Sequence, residues 1–321
     1  VNEFQLIHEY FARQPVTRGD VALGIGDDAA LLEPAPGRQL VVSTDTLNAG
    51  VHFPLDADPR TVGHKTLAVN LSDLAAMGAT PAWFTLNISL PQVDANWLDG
   101  FCQGLYALAR THDAQLVGGD TTRGPLAVTA TVLGQVPRGA ALRRSGARVG
   151  DRIYVTGSLG DAALGLLQHT GKLNLPEAAR AAVLERLHQP VPRVAQGMAL
   201  RRLASACIDI SDGLLADLGH ILAASDVGAC IELAALPLSP VYRAQLPQVG
   251  WQPALAQGDD YELCFTVPAA QVAAVETALS GFACGATCIG VVEATSGLRV
   301  VDPGGQPYFP GAQGYDHFQA N

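Results

Sequence analysis

Lysine is nearly missing from this sequence: Lys65 and Lys172 are the only two in 321 residues, so arginine carries almost all the positive charge. Cations are scarce overall, with 20 Lys and Arg against 30 Asp and Glu and a formal net charge of −10. That balance leaves no basic face for nucleic acid or an anionic membrane, and neither is expected as a partner. A phosphate-bearing substrate is not excluded, because divalent cations reverse the sign locally. Long apolar runs are also lacking, which excludes a membrane-spanning helix. The opening VNEFQLIHEYFARQ has neither the basic start nor the apolar stretch of a signal peptide, and reads as an amphipathic helix over residues 1–14. A cytoplasmic location is expected. The six cysteines are scattered and sit mostly in apolar runs, as buried thiols do in a reducing compartment. Cys284 and Cys288 have no second pair to complete a zinc site.

Several familiar motifs are missing too. Gly63-His64-Lys65-Thr66 resembles the tail of a P-loop, but the earlier glycine is not at the required spacing. Gly24-Ile25-Gly26 lacks the third glycine of a dinucleotide fingerprint, and there is no Gly-x-Ser-x-Gly elbow. If a nucleotide binds, another scaffold holds it.

The chain does have the length and the 48% hydrophobic content for two domains with real cores. Strand and helix patterns alternate throughout, so an α/β or α+β architecture is expected. In the first half, a strand at Gln39–Ser43 is followed by a polar loop from Thr44 to Phe53. A helix at Asp58–Met77 has Pro59 in its first turn, and a strand at Ala82–Leu90 and a helix at Asp94–His112 follow. Short strands are expected at Gln115–Val117 and Ala127–Val136. The Arg- and Gly-rich stretch 139–150 reads as a linker between a domain over 1–138 and another over 151–321.

What the sequence has in plenty is aspartate beside glycine, serine or threonine, just after short apolar runs. The instances are Gly26-Asp27-Asp28, Ser43-Thr44-Asp45, Leu71-Ser72-Asp73, Gly118-Gly119-Asp120, Asp209-Ile210-Ser211-Asp212-Gly213 and Gly258-Asp259-Asp260. Each reads as a strand whose C-terminal turn presents an acid. Any one of them is ordinary turn or cap chemistry. The set suggests carboxylates gathered around cations, and the cations suggest a polyanionic substrate such as a nucleotide triphosphate. Asp28, Asp45, Asp73 and Asp120 form the strongest group, with Ser43 and Thr44 able to add a hydroxyl or carbonyl oxygen. Asp209 and Asp212 bracket Ser211 in a turn entering a helix, where free N–H groups offer a phosphate site. Gly118 to Gly124 reads as a phosphate-friendly loop with Arg123 nearby, and Arg143 and Arg144 are candidates for gripping a triphosphate, against the plainer reading of a basic hinge.

These segments together resemble the thiamine-monophosphate kinases, nearly end to end. GIGDDAALL, VSTDTLNAGVHF, HKTLAVNLSDLAAMGATPAW, LVGGDTTRGP, IDISDGLLADLGHI, GDDYELCFTVP and the terminal GYDHF carry the resemblance. It implies an aminoimidazole ribonucleotide synthetase-like fold. The N-terminal mixed-sheet domain would form a barrel with a second subunit, in a homodimer, and the C-terminal α+β domain would close the substrate site. It also implies transfer of the ATP γ-phosphoryl group to thiamine monophosphate, with several Mg²⁺ ions per site and a monovalent cation as a further candidate. By motif, Asp28, Ser43, Thr44, Asp45, Asp73, Asp120, Asp209 and Asp212 match the metal shell. Gly119, Asp120, Arg144 and Ser211 match ATP contacts, and His52, Asp259 and Tyr315 match substrate contacts. No general base is expected; Arg144 and the metal-bound aspartates would stabilise the transfer. Asp259 stands where the family's usual residue is Glu, one methylene longer, and His112 is a weaker candidate beside adenine. The alternatives are another ATP-dependent synthetase or ligase of the same superfamily, or a non-catalytic nucleotide-binding scaffold. A selenophosphate synthetase would need a reactive cysteine early in the chain, and no cysteine precedes Cys102.

Overall fold

The computed structural model describes residues 3–12, 16–311 and 314–315. The chain divides into two compact units, one of Val1–Leu74 with Ala79–Gly139 and one of Ala75–Gly78 with Ala140–Asn321.

The first unit begins with α1 (Glu3–Leu6), which runs into a π-helical segment over Ile7–Ala12. The rest of the helix expected over 1–14 lies outside the described residues. A small hairpin of β1 (Val21–Leu23) and β2 (Leu31–Leu32) follows. Then β3 (Arg38–Asn48), β4 (Thr80–Leu90), β5 (Gln115–Arg123) and β6 (Ala127–Pro137) form a sheet in the order β3-β6-β4-β5, parallel only between β4 and β5.

Two strands overturn the sequence reading. The loop expected from Thr44 is strand as far as Asn48, because every residue of β3 has a partner in β6. Two cross-strand hydroxyl contacts, Thr44 to Thr131 at 3.0 Å and Thr46 to Thr129 at 2.8 Å, reinforce it. Likewise Gly118–Arg123 is not a loop but the second half of β5. Gly119 holds φ at +148°, and a Cβ there would lie 1.8 Å from the Leu86 carbonyl oxygen, so only glycine lets β5 run this close to β4.

Strand alternation gives the sheet two unlike faces. One carries Phe84, Leu86, Ile88, Val128, Ala130 and Val132, all buried. Helix α2 (Pro59–Ala76) reaches this side: Leu74 approaches Gly134, and two polar residues of α2 bond β3. Helix α3 (Ala95–Thr111), capped by the Asp94 carboxylate on the Asn96 and Trp97 N–H groups, crosses α2 at glycines. A Cβ on Gly63 would sit 2.0 Å from the Phe101 carbonyl oxygen, and one on Gly104 1.9 Å from that of Arg60. Gly63, the first residue of the P-loop-like tetrapeptide, is thus a helix contact. The opposite face is polar, with Thr44, Thr46, Thr85, Asn87, Thr129 and Thr131 in adjacent rows. At one end of it Trp83 and Val117 pack with Val21 and Leu32 of the hairpin.

In the second unit, β7 (Arg152–Thr156), β8 (Ala206–Asp209), β9 (Gly228–Glu232), β10 (Leu263–Val267), β11 (Ala286–Glu293), β12 (Gly297–Val301) and β13 (Pro307–Tyr308) form a sheet in the order β13-β12-β9-β11-β7-β10-β8. Around it lie α4 (Asp161–His169), α5 (Glu177–His188), α6 (Val194–Ala199), α7 (Leu214–Ser225), α8 (Pro240–Val249), α9 (Gln252–Ala256) and α10 (Val272–Leu279). Ile153, Val155, Leu164, Ile208, Leu218 and Ile231 lie in one buried core. Helices α8 and α9 were not foreseen: Pro247 inside α8 breaks the apolar period, although Ser239 and Pro240 supply an ordinary cap and first turn. Within the stretch read as a linker, the Leu142 N–H donates to the Met77 carbonyl and the Arg143 carbonyl accepts from the Cys207 N–H. No helix of the described residues is long and apolar enough to cross a membrane.

Candidate active site

In the first unit, β3 and α2 bring oxygen donors together. The Ser43 hydroxyl donates to the Asp73 carboxylate at 2.5 Å, and the Asp45 N–H donates to the Asn70 side-chain oxygen at 3.0 Å. Asn70 and Asp73 lie one turn apart on α2, and Ser43 and Asp45 two residues apart on β3, so both pairs share an edge of the sheet. Asp45 is therefore mid-strand and not on the turn that the sequence suggested, while Asp73 lies in the last turn of α2, inside the helix expected over Asp58–Met77. Thr44 points to the other face, where its hydroxyl donates to the Ala130 carbonyl and meets Thr131, leaving its carbonyl as the oxygen it can offer elsewhere.

His52 accepts the Asn48 N–H at Nδ1, 3.0 Å away, which places the proton of the neutral ring on Nε2. The buried Lys65 donates to the His52 carbonyl at 3.2 Å and holds this stretch of chain. Asp28 is exposed, and its N–H is capped by the Asp27 carboxylate. Asp120 lies in β5, at the sheet edge opposite β3. It shares a row with Asn87, Thr129 and Thr46, whereas Asp45 shares one with Ala130, Leu86 and Gly119. Adjacent rows face opposite ways, so within one chain Asp45 and Asp120 are separated both by face and by two intervening strands. His112 caps the end of α3, and burial, then His64, hold its pKa below the ordinary value.

In the second unit, Asp209 ends β8, and the turn Ser211-Asp212-Gly213 leads into α7. The free N–H groups expected in this turn are not free. One oxygen of Asp217 accepts from Ser211, Asp212 and Gly213 at 3.0, 3.1 and 3.1 Å. The place a phosphate would take at this helix start is filled by the protein's own carboxylate, which corrects the sequence reading. Burial, with repulsion from Asp212, pushes the Asp217 carboxyl up to about 7 against the opposing pull of the three N–H groups.

The carbonyls of the same turn are also used. Ser211 accepts from the Asp259 N–H at 3.0 Å, and Asp212 from the Tyr315 N–H at 3.1 Å. Ser211, Asp212, Asp259 and Tyr315 are thus assembled, and Asp259 is half-buried beside the Tyr261 hydroxyl at 3.2 Å.

The remaining acids of the GDDYEL segment face inward. Both oxygens of Asp260 accept the Gly160 N–H at the start of α4, and burial holds its pKa well above the usual range. Glu262 is fully buried between Arg186, Arg193 and the Thr156 hydroxyl. Asp151 and Asp161 likewise cap serines and a backbone N–H. The Arg144 side chain belongs to an exposed residue, and its carbonyl accepts from Ser225. Among the described residues, no three His, Cys, Asp or Glu side chains converge on a single metal position.

Sequence reasoning overlooked Asn70 and Asp217. Asn70 gave no signal in the helix pattern. Asp217 did: an acid in the first turn of a helix, just after Ser-Asp-Gly, marks a carboxylate folding back onto the helix start.

Two family models match the chain. One describes AIR synthase related proteins, N-terminal domain, over residues 26–136, and the other the C-terminal domain over residues 148–303. The class is therefore the AIR synthase related proteins, with both domains present. Thiamine-monophosphate kinase of Escherichia coli is 51% identical over 319 residues, covering 98% of this chain and 98% of that one. The crystal structure of thiamine-monophosphate kinase from Stenotrophomonas maltophilia superposes with a TM-score of 0.86 at 50% identity, covering 94% of this chain and 96% of that one. A structure of AaThiL complexed with AMPPCP and TMP gives a TM-score of 0.78 at 32% identity, covering 92% of each. The chain belongs to the thiamine-monophosphate kinase family.

Proposed function

We infer that this protein transfers the γ-phosphoryl group of ATP to thiamine monophosphate, giving thiamine diphosphate and ADP. The full-length match to thiamine-monophosphate kinases carries the reading. The acceptor is a phosphate oxygen, already ionised at neutral pH. It attacks the γ-phosphorus as the bond to the β,γ-bridging oxygen breaks, and the electron pair leaves with ADP. No side chain has to remove a proton, so catalysis rests on aligning two polyanions and offsetting their repulsion.

The donor chemistry fits Mg²⁺, being carboxylate, hydroxyl and carbonyl oxygen without sulfur. Asp28, Ser43, Asp45, Asp73, Asp120, Asp209 and Asp212, with the Thr44 carbonyl, would hold several such ions, and a monovalent cation is a further candidate. When bound, the ions neutralise phosphate charge and leave part of their coordination to phosphates and water. Gly119, Asp120, Arg144 and Ser211 contact ATP in this reading, Arg144 as a charge-assisted donor to phosphate. His52 offers its Nε2–H, Asp259 its carboxylate and Tyr315 its ring face to the cationic substrate.

A homodimer completes the first unit. β3 and β5 are opposite edges, separated by roughly 14 Å at about 4.8 Å per strand spacing. An ion touching both Asp45 and Asp120 therefore requires β5 of a second copy beside β3. The exposed Leu40 and Val42 on β3 support such pairing, since an eleven-residue edge strand is otherwise an open template.

Incubation with ATP, Mg²⁺ and thiamine monophosphate, with chromatographic identification of the product, tests the assignment. Free thiamine serves as a parallel acceptor. Thiamine diphosphate from the monophosphate is the expected result; its absence overturns the kinase reading, and phosphorylation of free thiamine alone moves the acceptor.

A further inference from the structure

We propose that Asp217 is a positioning residue for this phosphoryl transfer, acting through the backbone of the Ser211-Asp212-Gly213 turn. The proposal rests on the kinase reading above.

The carboxylate is buried, at 2% exposure, and one oxygen ties down three successive N–H groups at 3.0 to 3.1 Å. On its other side the turn is held by its carbonyls, Ser211 to the Asp259 N–H and Asp212 to the Tyr315 N–H. Next to it, the Ile210 carbonyl accepts the Tyr261 N–H at 2.8 Å, and the Tyr261 hydroxyl donates to Asp259. A single oxygen atom thus fixes the backbone that orients Ser211 and Asp212 directly, and Asp259 and Tyr315 at one remove. The hydrogen bonds of Asp217 go to the backbone of this turn, so in this proposal it acts only through the backbone it holds. Its contribution is geometric, and a displacement of about 1 Å at such a site is enough to cost roughly 100-fold in rate.

Three substitutions separate geometry from charge. Asp217→Asn keeps an acceptor oxygen in place and removes the charge. Asp217→Glu keeps the charge and moves the acceptor by one methylene. Asp217→Ala removes both and leaves three N–H groups unsatisfied. KM for each substrate, kcat, melting temperature and amide exchange at residues 211–213 would be measured on each, with Asp151→Ala as a matched control. Asp151 is equally buried and capped, and bonds Arg148 and Ser205 instead of this turn.

The expected order of damage is Ala, then Glu, then Asn. Asn should stay within about threefold of wild type in kcat/KM, and Glu and Ala should lose roughly 100-fold, with exchange at 211–213 accelerated in the same order. Asp151→Ala should lower the melting temperature without changing KM. Asn as damaged as Ala, or Glu better than Asn, would show that the charge matters and overturn the proposal, as would wild-type KM and exchange in both Glu and Ala. If Ala does not fold, the Asn–Glu order still decides. Inactive wild-type protein would remove the kinase reading, and amide exchange would then report the anchoring of the turn on its own.

Discussion

The acids of the two units are held in opposite ways. In the first unit Asp45, Asp73 and Asp120 sit inside long regular elements, and sheet register and helix phase fix their positions. Neutral groups are among their local partners: Ser43 for Asp73, and Asn70 for the Asp45 backbone. In the second unit Asp209, Asp212 and Asp259 sit at a strand end and on short turns, and other buried carboxylates hold those turns in shape. Asp217 clamps the turn before α7, while Asp260 and Glu262 anchor the segment behind Asp259. A regular element positions an acid through register and phase. A turn needs its own internal anchor, and here that anchor is itself a carboxyl group.

The sharpest way to press this comparison is to neutralise the candidate metal-shell acids. Asp45→Asn and Asp73→Asn should each lower kcat by about 1000-fold, the scale of losing one preorganised electrostatic contact, with the melting temperature unchanged. Ser43 can still donate to an amide oxygen at position 73, and the Asn70 bond uses only the backbone of residue 45, so the elements survive. Asp212→Asn should behave alike in rate. Near-wild-type turnover in either first-unit variant would remove that residue from the metal shell.

Neutralising an anchor should do the reverse. Glu262→Gln leaves the partly buried Arg186 and Arg193 around a neutral, buried amide, and breaking a buried pair costs up to about 3–5 kcal/mol of stability. Thermal and urea unfolding should show the loss. Assays at low temperature should find the folded fraction with an almost unchanged kcat, because Glu262 lies behind the Asp259 turn and does not face it. A rate loss matching that of Asp45→Asn would mean that anchor and site are not separable.

The first unit has its own structural dependence, on backbone contact instead of charge. Gly63→Ala would place a methyl 2.0 Å from the Phe101 carbonyl oxygen and force α2 and α3 apart. A cost of about 1–3 kcal/mol is expected, as for other overpacked cores, read as a lower melting temperature. The shift would also move Asp73 on α2, so KM should change together with stability, in contrast to Glu262→Gln.

How much of this was legible in the sequence follows the same division. Helix α2 was visible almost to the residue, from Pro59 at its start to its apolar end, because caps and periodicity are local. Strands β3 and β5 were cut short. Thr44–Asn48 and Gly118–Arg123 carry the residues of turns, and only pairing with β6 and β4 makes them strands. The oxygen-rich candidate positions could be picked out from the sequence, but the surroundings of several were misread where tertiary pairing decides. Asp45 is not on a turn, and the N–H groups before α7 are already occupied. Which member of the Asp259-Asp260 pair faces outward could not be read from adjacent identical letters. The Asp260–Gly160 bond, spanning 100 residues, decides it.

The smallest effect concerns His112, at the end of α3 in the first unit. Burial, with like-charge repulsion from His64, lowers its proton affinity in the folded state below the ordinary histidine value of 6.5. The unfolded chain then binds the proton more readily than the native one. The stability that His112 contributes is present above pH 6.5 and is lost as pH falls from there through the folded-state pKa. Melting temperatures of wild type and His112→Gln across pH 8 to about 5 should converge toward acid, or cross if the glutamine packs well, because only the wild type has this histidine to protonate. A parallel pair of curves would mean that His112 is as easily protonated folded as unfolded. The test also bears on the contrast between the units, since no carboxylate is among the causes of this shift: the first unit is sensitive to acid through a half-buried base at a helix end, whereas the second holds its buried acids at the turns themselves.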